Sequence, residues 1–342
     1  MSEQAEDAMA IRREMIEMIG GSWKTQVAGT AARLRIPVHL ASGSATAEEV
    51  AEAAGCPPGP TRRLLRAMCS LGLAVQVDAA RFASTPRGDL LRSDVAGSYY
   101  GLALSWTDRL WKAWGALEAG IRTGEPQVPS GAEGFASMAD RPAEAAVLNQ
   151  SQADRSRGAA AEAARVYDFS CFSEVMDVGG GYGTVLAAIL RACPDVRGAV
   201  FELPYLEQKT LEFQAAEGVG DRARFVGGSF FDGVEPGADC YVLKSILHDW
   251  DDDQCLAILR NVAAASRPGG TLIVIEQVLP EIADDDPAYH SAFRTDLTML
   301  LGTGGLERTE AEFRSLLKAA GFTLARVLPN ESEFMVIEAT RD

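Results

Sequence analysis

The sequence predicts an α/β protein with a doubly wound parallel sheet in its C-terminal half and a mostly helical, winged-helix domain at its N-terminus. From about residue 172 onwards, short apolar runs alternate with helical stretches, which is typical of a parallel sheet. Before that point the order is helix, helix and hairpin. We therefore divide the chain into an N-terminal domain (1–95), a helical connector (96–165) and a sheet domain (166–342).

The N-terminal domain is predicted from its helix boundaries. In "ATAEEVAEAAG", Thr46 and Glu49 form a capping box and Gly55 ends the helix. The next helix, "TRRLLRAMCSLG", places its leucines on one face, and "LAVQVDAARFAST" gives two short alternating runs around a turn. The connector stays helical through "SWTDRLWKAW" until a break in "RTGEPQVPSGAEG".

Composition excludes several classes of protein. With 47% hydrophobic and 23% charged residues, the chain is of the ordinary globular type. No apolar stretch reaches the roughly 18 residues of a membrane span, and the N-terminus "MSEQAEDAMAIRRE" is acidic, so we expect a cytoplasmic protein with no membrane partner. None of the six cysteines forms a C-x-x-C pair, which favours buried reduced thiols.

The net charge of -16 argues against nucleic acid as the partner, since phosphate binding rests on an excess of Lys and Arg. Residues 1–95 hold eleven basic and eleven acidic residues, so the whole deficit falls on the rest of the chain.

Five apolar runs are predicted as strands: "EVMDVGG", "RGAVFEL", "ARFVGGSF", "ADCYVLKSI" and "TLIVIEQV". Ligands of such sheets bind beyond the carboxyl ends of the strands. After the first run, "DVGGGYG" places Asp177 two residues before Gly179, with Gly181 and Gly183 following. This is not the G-x-G-x-x-G of a dinucleotide site, and an acid would repel a pyrophosphate. A tight turn without any ligand would also need some of these glycines.

Two further strand ends suggest a nucleoside. Glu202 lies roughly twenty residues beyond Gly181, where an acid can accept from both ribose hydroxyls. Ser229 and Phe230 end the third run, where they could bind and cover an adenine, although Phe230 could equally belong to the core. Without a P-loop lysine, these features indicate S-adenosylmethionine (SAM), whose cationic end suits Asp177.

His248 follows the fourth run in "LKSILHDWDDDQC", on the same rim of the sheet. The three acids Asp251, Asp252 and Asp253 begin the next helix. We expect them to cap this helix and favour its positive dipole end, and we predict no metal site.

Glu276 ends the fifth run, and Glu307 lies in the glycine-rich "GTGGLERTE". Two carboxylates beside His248 would orient it as a general base for a phenolic proton. The alternative is a buried imidazole satisfied by one hydrogen bond. Because a phenol has a pKa of about 10 and free histidine about 6.5, the transfer would be uphill and must accompany attack on a methyl group.

Six motifs, taken in order along the chain, resemble those of the SAM-dependent O-methyltransferases of the caffeate and flavonoid type. They are "DVGGGYG", "FELP", "GGSFF", "LKSILHDW", "IVIEQ" and "GGLERTEAEF". The likeness is strongest to their bacterial branch, which modifies aromatic natural products. It covers nearly the whole chain, and "LHDW" with "GGLERT" is its most specific part.

The resemblance implies a Rossmann-like SAM domain, release of S-adenosylhomocysteine (SAH), and a homodimer formed by the N-terminal domain. It implies His248 as base between Glu276 and Glu307. The cofactor-binding residues that it implies are Asp177, Gly179, Gly181, Gly183, Glu202, Leu203, Gly228, Ser229, Phe230, Lys244 and Ser156. Those implied for an aromatic acceptor are Met299, Asn149, Gln152, Asp249, Asp296 and Trp106.

The sequence departs from the family pattern in places. Many relatives have Asp where this chain has Glu202, and plant relatives often have Asp where it has Ser229. The segment that usually reads F-N-x-x-M here reads "LNQSQ", so Leu148 and Gln152 stand where relatives have Phe and Met. The loss of these two apolar side chains indicates a more polar or differently shaped acceptor. Trp106, Trp111 and Trp114 could compensate, or could serve packing or dimer contact.

Two alternatives remain at this point. A same-fold protein can use bound SAM to assist hydroxylation or decarboxylation, but such relatives tend to lack the base. A winged helix can also bind DNA, but this domain has no net positive charge.

Overall fold

A computed structural model describes residues 3–95, 97–128, 134–135, 137–329 and 331–342, with side chains from residue 8 onwards. Part of the predicted break in "RTGEPQVPSGAEG", residues 129–133, lies outside this description. The chain forms two compact units, Met1–Trp111 and Lys112–Asp342.

The N-terminal unit has the predicted order of helix, helix and hairpin. Its elements are α1 (Glu3–Gly20), α2 (Ser22–Arg33), α3 (Ile36–His39), β1 (Ala45–Thr46), α4 (Ala47–Ala54), α5 (Pro58–Ser70), β2 (Ala74–Gln76), β3 (Arg81–Ser84), α6 (Pro86–Asp89) and α7 (Tyr100–Trp106). Its strands form an antiparallel sheet in the order β1-β3-β2. Thr46 and Glu49 make the predicted capping box, and Gly55 ends α4 at φ +65°.

The predicted connector is divided between the two units. Helix α7 packs on α2, where Gly29 leaves room for Thr107: a Cβ at Gly29 would come within 2.1 Å of Thr107 Cγ2. Helix α8 (Arg109–Gly115) spans the boundary at residues 111 and 112. The rest of the connector belongs to the C-terminal unit.

The C-terminal unit alternates strands and helices. Its helices are α9 (Leu117–Thr123), α10 (Pro142–Val166), α11 (Thr184–Ala192), α12 (Glu207–Ala216), α13 (Asp252–Ala265), α14 (His290–Gly302) and α15 (Glu310–Ala319). Its strands are β4 (Glu174–Val178), β5 (Arg197–Glu202), β6 (Ala223–Gly227), β7 (Cys240–Lys244), β8 (Thr271–Glu276), β9 (Val278–Leu279), β10 (Arg308–Thr309), β11 (Phe322–Leu328) and β12 (Met335–Arg341).

Seven strands form one sheet in the order β11-β12-β8-β7-β4-β5-β6. The five predicted strands pair in parallel, which confirms the Rossmann-like α/β fold. The chain order reverses between β4 and β7, and this switch point is where such sheets bind ligands. The antiparallel strands β11 and β12, which the sequence analysis did not predict, complete the edge beside β8.

Helices cover both faces of this sheet with separate apolar clusters. One face packs Leu259 and Phe313 against the strands, and the other packs Phe169, Leu186 and Ile189. All six cysteines are free thiols, and Cys193, Cys240 and Cys255 are buried as expected. The expectation of burial is wrong for Cys171, which lies in a short turn before β4 and is exposed, while Cys56 and Cys69 are half-buried. Within the described residues, no helix combines the length and the apolar character that a membrane crossing requires.

Candidate active site

A cleft opens beyond the carboxyl ends of β4 to β7, and its empty space, counted together with the open solvent at its mouth, is about 1180 Å³. It has the concave form and the convergent polar groups of a ligand site. It is lined by thirteen of the residues predicted to bind the cofactor or the acceptor, and also by Leu148: the thirteen are Asn149, Gln152, Ser156, Asp177, Gly179, Gly181, Glu202, Leu203, Gly228, Ser229, Phe230, Lys244 and Asp249.

The glycine loop after β4 lets the backbone turn sharply beside the cleft. Gly179 and Gly181 have φ values of +70° and +57°, which favour glycine. Gly183, also predicted to bind the cofactor, does not line the cleft. At φ +80° it begins α11, and a Cβ there would come within 2.1 Å of Gln214 Nε2. Gly183 is therefore needed for the turn into α11 and for the close packing of the loop on Gln214.

Asp177 places a buried carboxylate under this loop. Its Oδ2 accepts a hydrogen bond from the backbone N–H of Leu186 at 3.3 Å, while Oδ1 has no partner. Burial raises the pKa of Asp177 to about 7. An unpaired buried oxygen of this kind suits a cationic ligand group, because a cation would both hydrogen-bond to it and favour its charged form.

Glu202 is held at the rim by two backbone donors. Its Oε2 accepts from Gly181 N–H at 3.0 Å and its Oε1 from Leu203 N–H at 2.7 Å. Burial raises the pKa of this carboxyl. This contact between Glu202 and Gly181 explains why the spacing of the two residues could predict a ligand site. The ends of β4 and β5 lie side by side around one ligand position.

The far wall of the cleft is aromatic. Phe230 packs edge-on against Trp250 at 6.0 Å between ring centroids, and the side-chain amide of Asn261 donates to the Phe230 carbonyl at 2.8 Å. Ser229 Oγ accepts from Phe231 N–H at 3.3 Å. The ring of Phe230 is thus both fixed and open to the cleft, as expected for a cover over a flat base.

Lys244 and Ser156 link β7 to α10. Lys244 Nζ donates to Ser156 Oγ at 3.0 Å and lies 4.4 Å from the centre of the Phe334 ring. Ser156 Oγ in turn donates to the Gln152 carbonyl at 2.7 Å. Burial, with help from the nearby charge of Arg155, lowers the pKa of Lys244 to about 7.

His248 lies in a short 3-10 turn, Leu247–Asp249, directly after β7. Its Nδ1 is 2.7 Å from Glu307 Oε1 and 3.6 Å from Glu276 Oε2. Glu276 is fixed from the other side, because its Oε1 accepts from the N–H groups of Ile246 and Leu247, both at 3.0 Å. Nδ1 therefore donates to Glu307, which leaves Nε2 as the ring nitrogen that can accept a proton.

The electrostatics of this cluster favour the imidazolium. Burial would lower the pKa of His248, but the negative charges of Glu276 and Glu307 outweigh burial and raise the pKa to about 9. For the carboxyl of Glu276, burial acts in the other direction and raises the pKa to about 7, although the positive charge of His248 opposes this effect. The imidazole of His248 therefore favours its protonated form when no substrate is bound.

The acids after His248 behave as predicted. Asp251 is the N-cap of α13 and accepts from Gln254 N–H at 2.8 Å, and Asp252 and Asp253 lie in the first turn. The ligand atoms of His248, Glu276 and Glu307 lie within 4.8 Å of one another, which a metal ion could also use. The direct 2.7 Å contact between Nδ1 and Glu307 instead favours a shared proton.

Arg308, which was not predicted from the sequence, fixes the turn that carries His248. This arginine is fully buried and donates to the carbonyls of Leu247 at 2.9 Å and Trp250 at 3.0 Å. It also pairs with Asp252 at 2.8 Å. Its position next to Glu307 in "GGLERTE" was the only available signal. Arg308 thus ties both halves of the cluster together.

The remaining predicted acceptor residues differ in placement. Asn149 and Gln152 line the cleft on the cofactor side, and Asn149 Oδ1 faces Gly181. Asp296 accepts from Glu307 N–H at 2.9 Å and so positions that glutamate. Met299 is buried in α14 and does not line the cleft. Trp106 lies on α7 of the N-terminal unit, and its role stays a prediction.

Two family models match the chain. One describes an O-methyltransferase domain and covers residues 114–323, and the other describes an O-methyltransferase dimerisation domain and covers residues 16–94. The first alone spans more than half of the chain.

Individual proteins agree with these models. The phenazine O-methyltransferase PhzM of Lysobacter antibioticus is 36% identical over 334 residues, covering 97% of each chain. The crystal structure of LaPhzM has a TM-score of 0.91 at 35% identity, covering 97% of this chain and 99% of its own. NcsB1 from neocarzinostatin biosynthesis, crystallised with SAM and 2-hydroxy-5-methyl naphthoic acid, has a TM-score of 0.77 at 32% identity, covering 93% and 96%.

Neither DNA binding nor SAM-assisted hydroxylation or decarboxylation gains support from these comparisons. The motifs "LHDW" and "GGLERT", on which the resemblance rested, form the histidine cluster described above. The chain therefore belongs to the O-methyltransferase family.

Proposed function

We propose that this protein transfers a methyl group from SAM to a phenolic hydroxyl of an aromatic natural-product intermediate, with His248 as the general base. The observation that carries the proposal is the contact of His248 Nδ1 with two buried glutamates, beside a cleft suited to a nucleoside. The relatives named for phenazine and naphthoic acid chemistry support an aromatic acceptor.

The residues of the cleft fit SAM group by group. The unpaired Oδ1 of Asp177 suits the ammonium of the methionine end, and Lys244 with Ser156 suits its carboxylate. Glu202 suits the ribose hydroxyls, and Phe230 with Ser229 suits the adenine. When bound, SAM supplies an electrophilic methyl carbon on a sulfonium that leaves as the neutral thioether of SAH.

His248 removes the proton of the acceptor hydroxyl through Nε2 as the oxygen attacks the methyl carbon. The new O–CH₃ bond takes its electron pair from that oxygen, and the broken C–S pair stays on sulfur. Glu307 holds Nδ1–H and stabilises the imidazolium, while Glu276 adds a second negative charge.

The raised pKa of His248 changes the energetics expected from the sequence. A base with a pKa of about 9 lies much closer to the phenol pKa of about 10 than an unperturbed histidine with a pKa of about 6.5 does. The transfer of the proton from the phenol to the imidazole is therefore less uphill than it would be with an unperturbed histidine. The two glutamates therefore bring the pKa of the base close to that of the phenol. Alignment of the hydroxyl oxygen, the methyl carbon and the sulfur in a site without water supplies most of the remaining acceleration.

We further propose that the protein acts as a homodimer through its N-terminal unit, on the basis of the dimerisation family model. The roles of Met299, Asp249 and Trp106 toward the acceptor stay proposals that rest on the resemblance. A cytoplasmic location and the lack of nucleic-acid and membrane partners likewise stay predictions.

The direct test is incubation of the purified protein with methyl-labelled SAM and a panel of hydroxylated polyketides, naphthoates, phenazines and quinones. The expected result is a product heavier by one methyl group, with label on oxygen. Tight SAM binding by calorimetry with no methylated product across the panel would contradict a phenolic acceptor. Failure to bind SAM at all would contradict the assignment of the cleft.

A further inference from the structure

Ser245 lines the cleft in a backbone conformation that residues with a side chain rarely adopt. It directly follows β7 and has a φ of +52°. Arg35, at the start of α3, is the one other non-glycine residue with a positive φ in the part of the chain that the structure describes. The left-handed region brings Cβ close to the following carbonyl oxygen, so serine is strained where glycine would not be. Strain of this kind is concentrated at functional sites.

The strained residue turns the chain from the sheet towards the base. The Ser245 N–H still donates to the Ile275 carbonyl at 3.1 Å, which continues the pairing of β7 with β8. The N–H groups of Ile246 and Leu247 then both donate to Glu276 Oε1 at 3.0 Å. The change of backbone direction at Ser245 lets two successive N–H groups reach one oxygen. Glycine would allow the same turn without strain, so the turn alone does not explain a serine here.

The neighbours of Ser245 in the chain fix its position in the cleft. Lys244, one residue before it, suits the carboxylate of SAM, and His248, three residues after it, is the proposed base. Ile246 packs on the glycine loop, where a Cβ on Gly179 would come within 2.5 Å of Ile246 Cδ1. In-line transfer needs the methyl carbon between the methionine end of SAM and the base. Ser245 therefore lines the stretch of the cleft where the sulfonium and its methyl group have to lie.

The hydroxyl of Ser245 can interact with this methyl group. Ser245 is half-buried, and no residue in the described ranges hydrogen-bonds to its Oγ. A hydroxyl oxygen carries two acceptor lone pairs. The methyl group of a sulfonium has polarised C–H bonds, and such carbon-bound hydrogens form weak hydrogen bonds to oxygen. SAH lacks both the methyl group and the positive charge, so it cannot make this contact.

We propose that the Ser245 hydroxyl contacts the sulfonium methyl group of SAM and aligns it with the attacking oxygen; this deepens the proposed methyl transfer and rests on the placement of SAM in the cleft. The contact explains why the chain has a strained serine at a position where glycine would be unstrained. It also lets the site distinguish SAM from SAH, the product that has to leave.

The test measures SAM and SAH affinities by calorimetry for the wild type, Ser245→Ala and Ser245→Gly. The alanine variant removes the hydroxyl and keeps Cβ, whereas the glycine variant removes both. In both variants the ratio of SAM affinity to SAH affinity should fall about 2- to 5-fold relative to the wild type, while SAH affinity stays unchanged. Thermal melts add a second readout. Ser245→Gly should melt at a higher temperature than Ser245→Ala, since only alanine is strained at this φ.

Ser156→Ala is the matched control, because it removes a hydroxyl from the same cleft. Ser156 lies 3.0 Å from Lys244 Nζ, at the position suited to the carboxylate that SAM and SAH share. Both affinities should therefore fall by the same factor in this variant, and their ratio should persist.

An unchanged ratio of affinities in the two Ser245 variants, whether or not both affinities fall, overturns the contact with the methyl group. A Ser245→Gly protein that melts no higher than Ser245→Ala overturns the argument from strain. If Ser245→Ala does not fold, Ser245→Gly alone supplies the affinity ratio. A wild-type protein that binds neither SAM nor SAH contradicts the assignment of the cleft instead, so the two failures are distinguishable.

Discussion

At the scale of single residues, the site depends on one imidazole whose two ring nitrogens have different surroundings. Nδ1 contacts both glutamates, whereas no described residue hydrogen-bonds to Nε2. The raised pKa of His248 also affects stability. The extra stability is fully present below the ordinary pKa of 6.5 and is lost as the pH rises through about 9.

This pKa predicts the pH dependence of methyl transfer. The proposed base, His248, must be neutral to accept a proton, so the proposal predicts that kcat/KM rises with pH, about tenfold per unit in the acidic range, and levels off near pH 9. Glu307→Gln removes one of the charges that raise the pKa, so the midpoint of the profile should move to lower pH. Parallel profiles of both proteins with one acceptor measure the difference, and identical midpoints would contradict this electrostatic account.

The sequence predicted His248, Glu276 and Glu307 because each follows a recognisable strand or loop motif. It did not predict Arg308 or the positioning role of Asp296. Arg308 acts on backbone carbonyls about sixty residues earlier in the chain, and such contacts depend on how two loops meet. The spacing of residues within one motif gives no information about a contact between two such loops.

At the scale of elements, the glycine-rich loop after α14 brings Glu307 to His248 by a close backbone approach. A Cβ on Gly305 would lie 2.0 Å from the His248 carbonyl oxygen and 2.4 Å from the Asp249 carbonyl carbon. Both are backbone atoms, which cannot move away by changing a side-chain rotamer. Gly305 therefore sets the distance between the two halves of the cluster.

Gly305→Ala should displace this loop, lowering both the melting temperature and kcat/KM. The expected loss in kcat/KM is about tenfold or more, since misplacing a catalytic group by about 1 Å can cost about 100-fold. Gly302→Ala is the control, because a Cβ there meets nothing within 4 Å. Thermal melts with steady-state kinetics make the comparison, and wild-type kinetics in Gly305→Ala would show that the contact does not position Glu307.

Five strands of the main sheet were predictable from alternation of apolar runs and helices. Strands β11 and β12 were not predicted, because their antiparallel placement beside β8 depends on pairing partners. The connector boundary was also placed differently, since packing of α7 on α2 assigns part of it to the N-terminal unit.

At the scale of the whole molecule, α1 presents an exposed apolar stripe. Its large exposed side chains are Met9, Ile11, Met15, Ile16, Met18 and Ile19. Ile16 is 69% and Ile19 76% exposed, and the spacing of the set follows a helix face. Contiguous apolar surface of this kind marks a protein interface, and it lies in part within the matched dimerisation domain.

The double substitution Ile16→Asp and Ile19→Asp should convert a dimer into a monomer, because each subunit would bury unpaired charge. Light scattering after size exclusion measures the mass, against a subunit of 36.5 kDa. Arg13→Asp places the same acidic side chain off the apolar stripe and should leave the dimer intact. A dimer that survives the double substitution would place the interface elsewhere.

The most direct test of the central claim is single-turnover methyl transfer by His248→Ala, measured with SAM affinity in the same preparation. The account predicts that SAM binding stays within about threefold of the wild type, while the rate of methyl transfer falls by roughly two orders of magnitude or more. A near wild-type rate in this variant would contradict the assignment of His248 as the base.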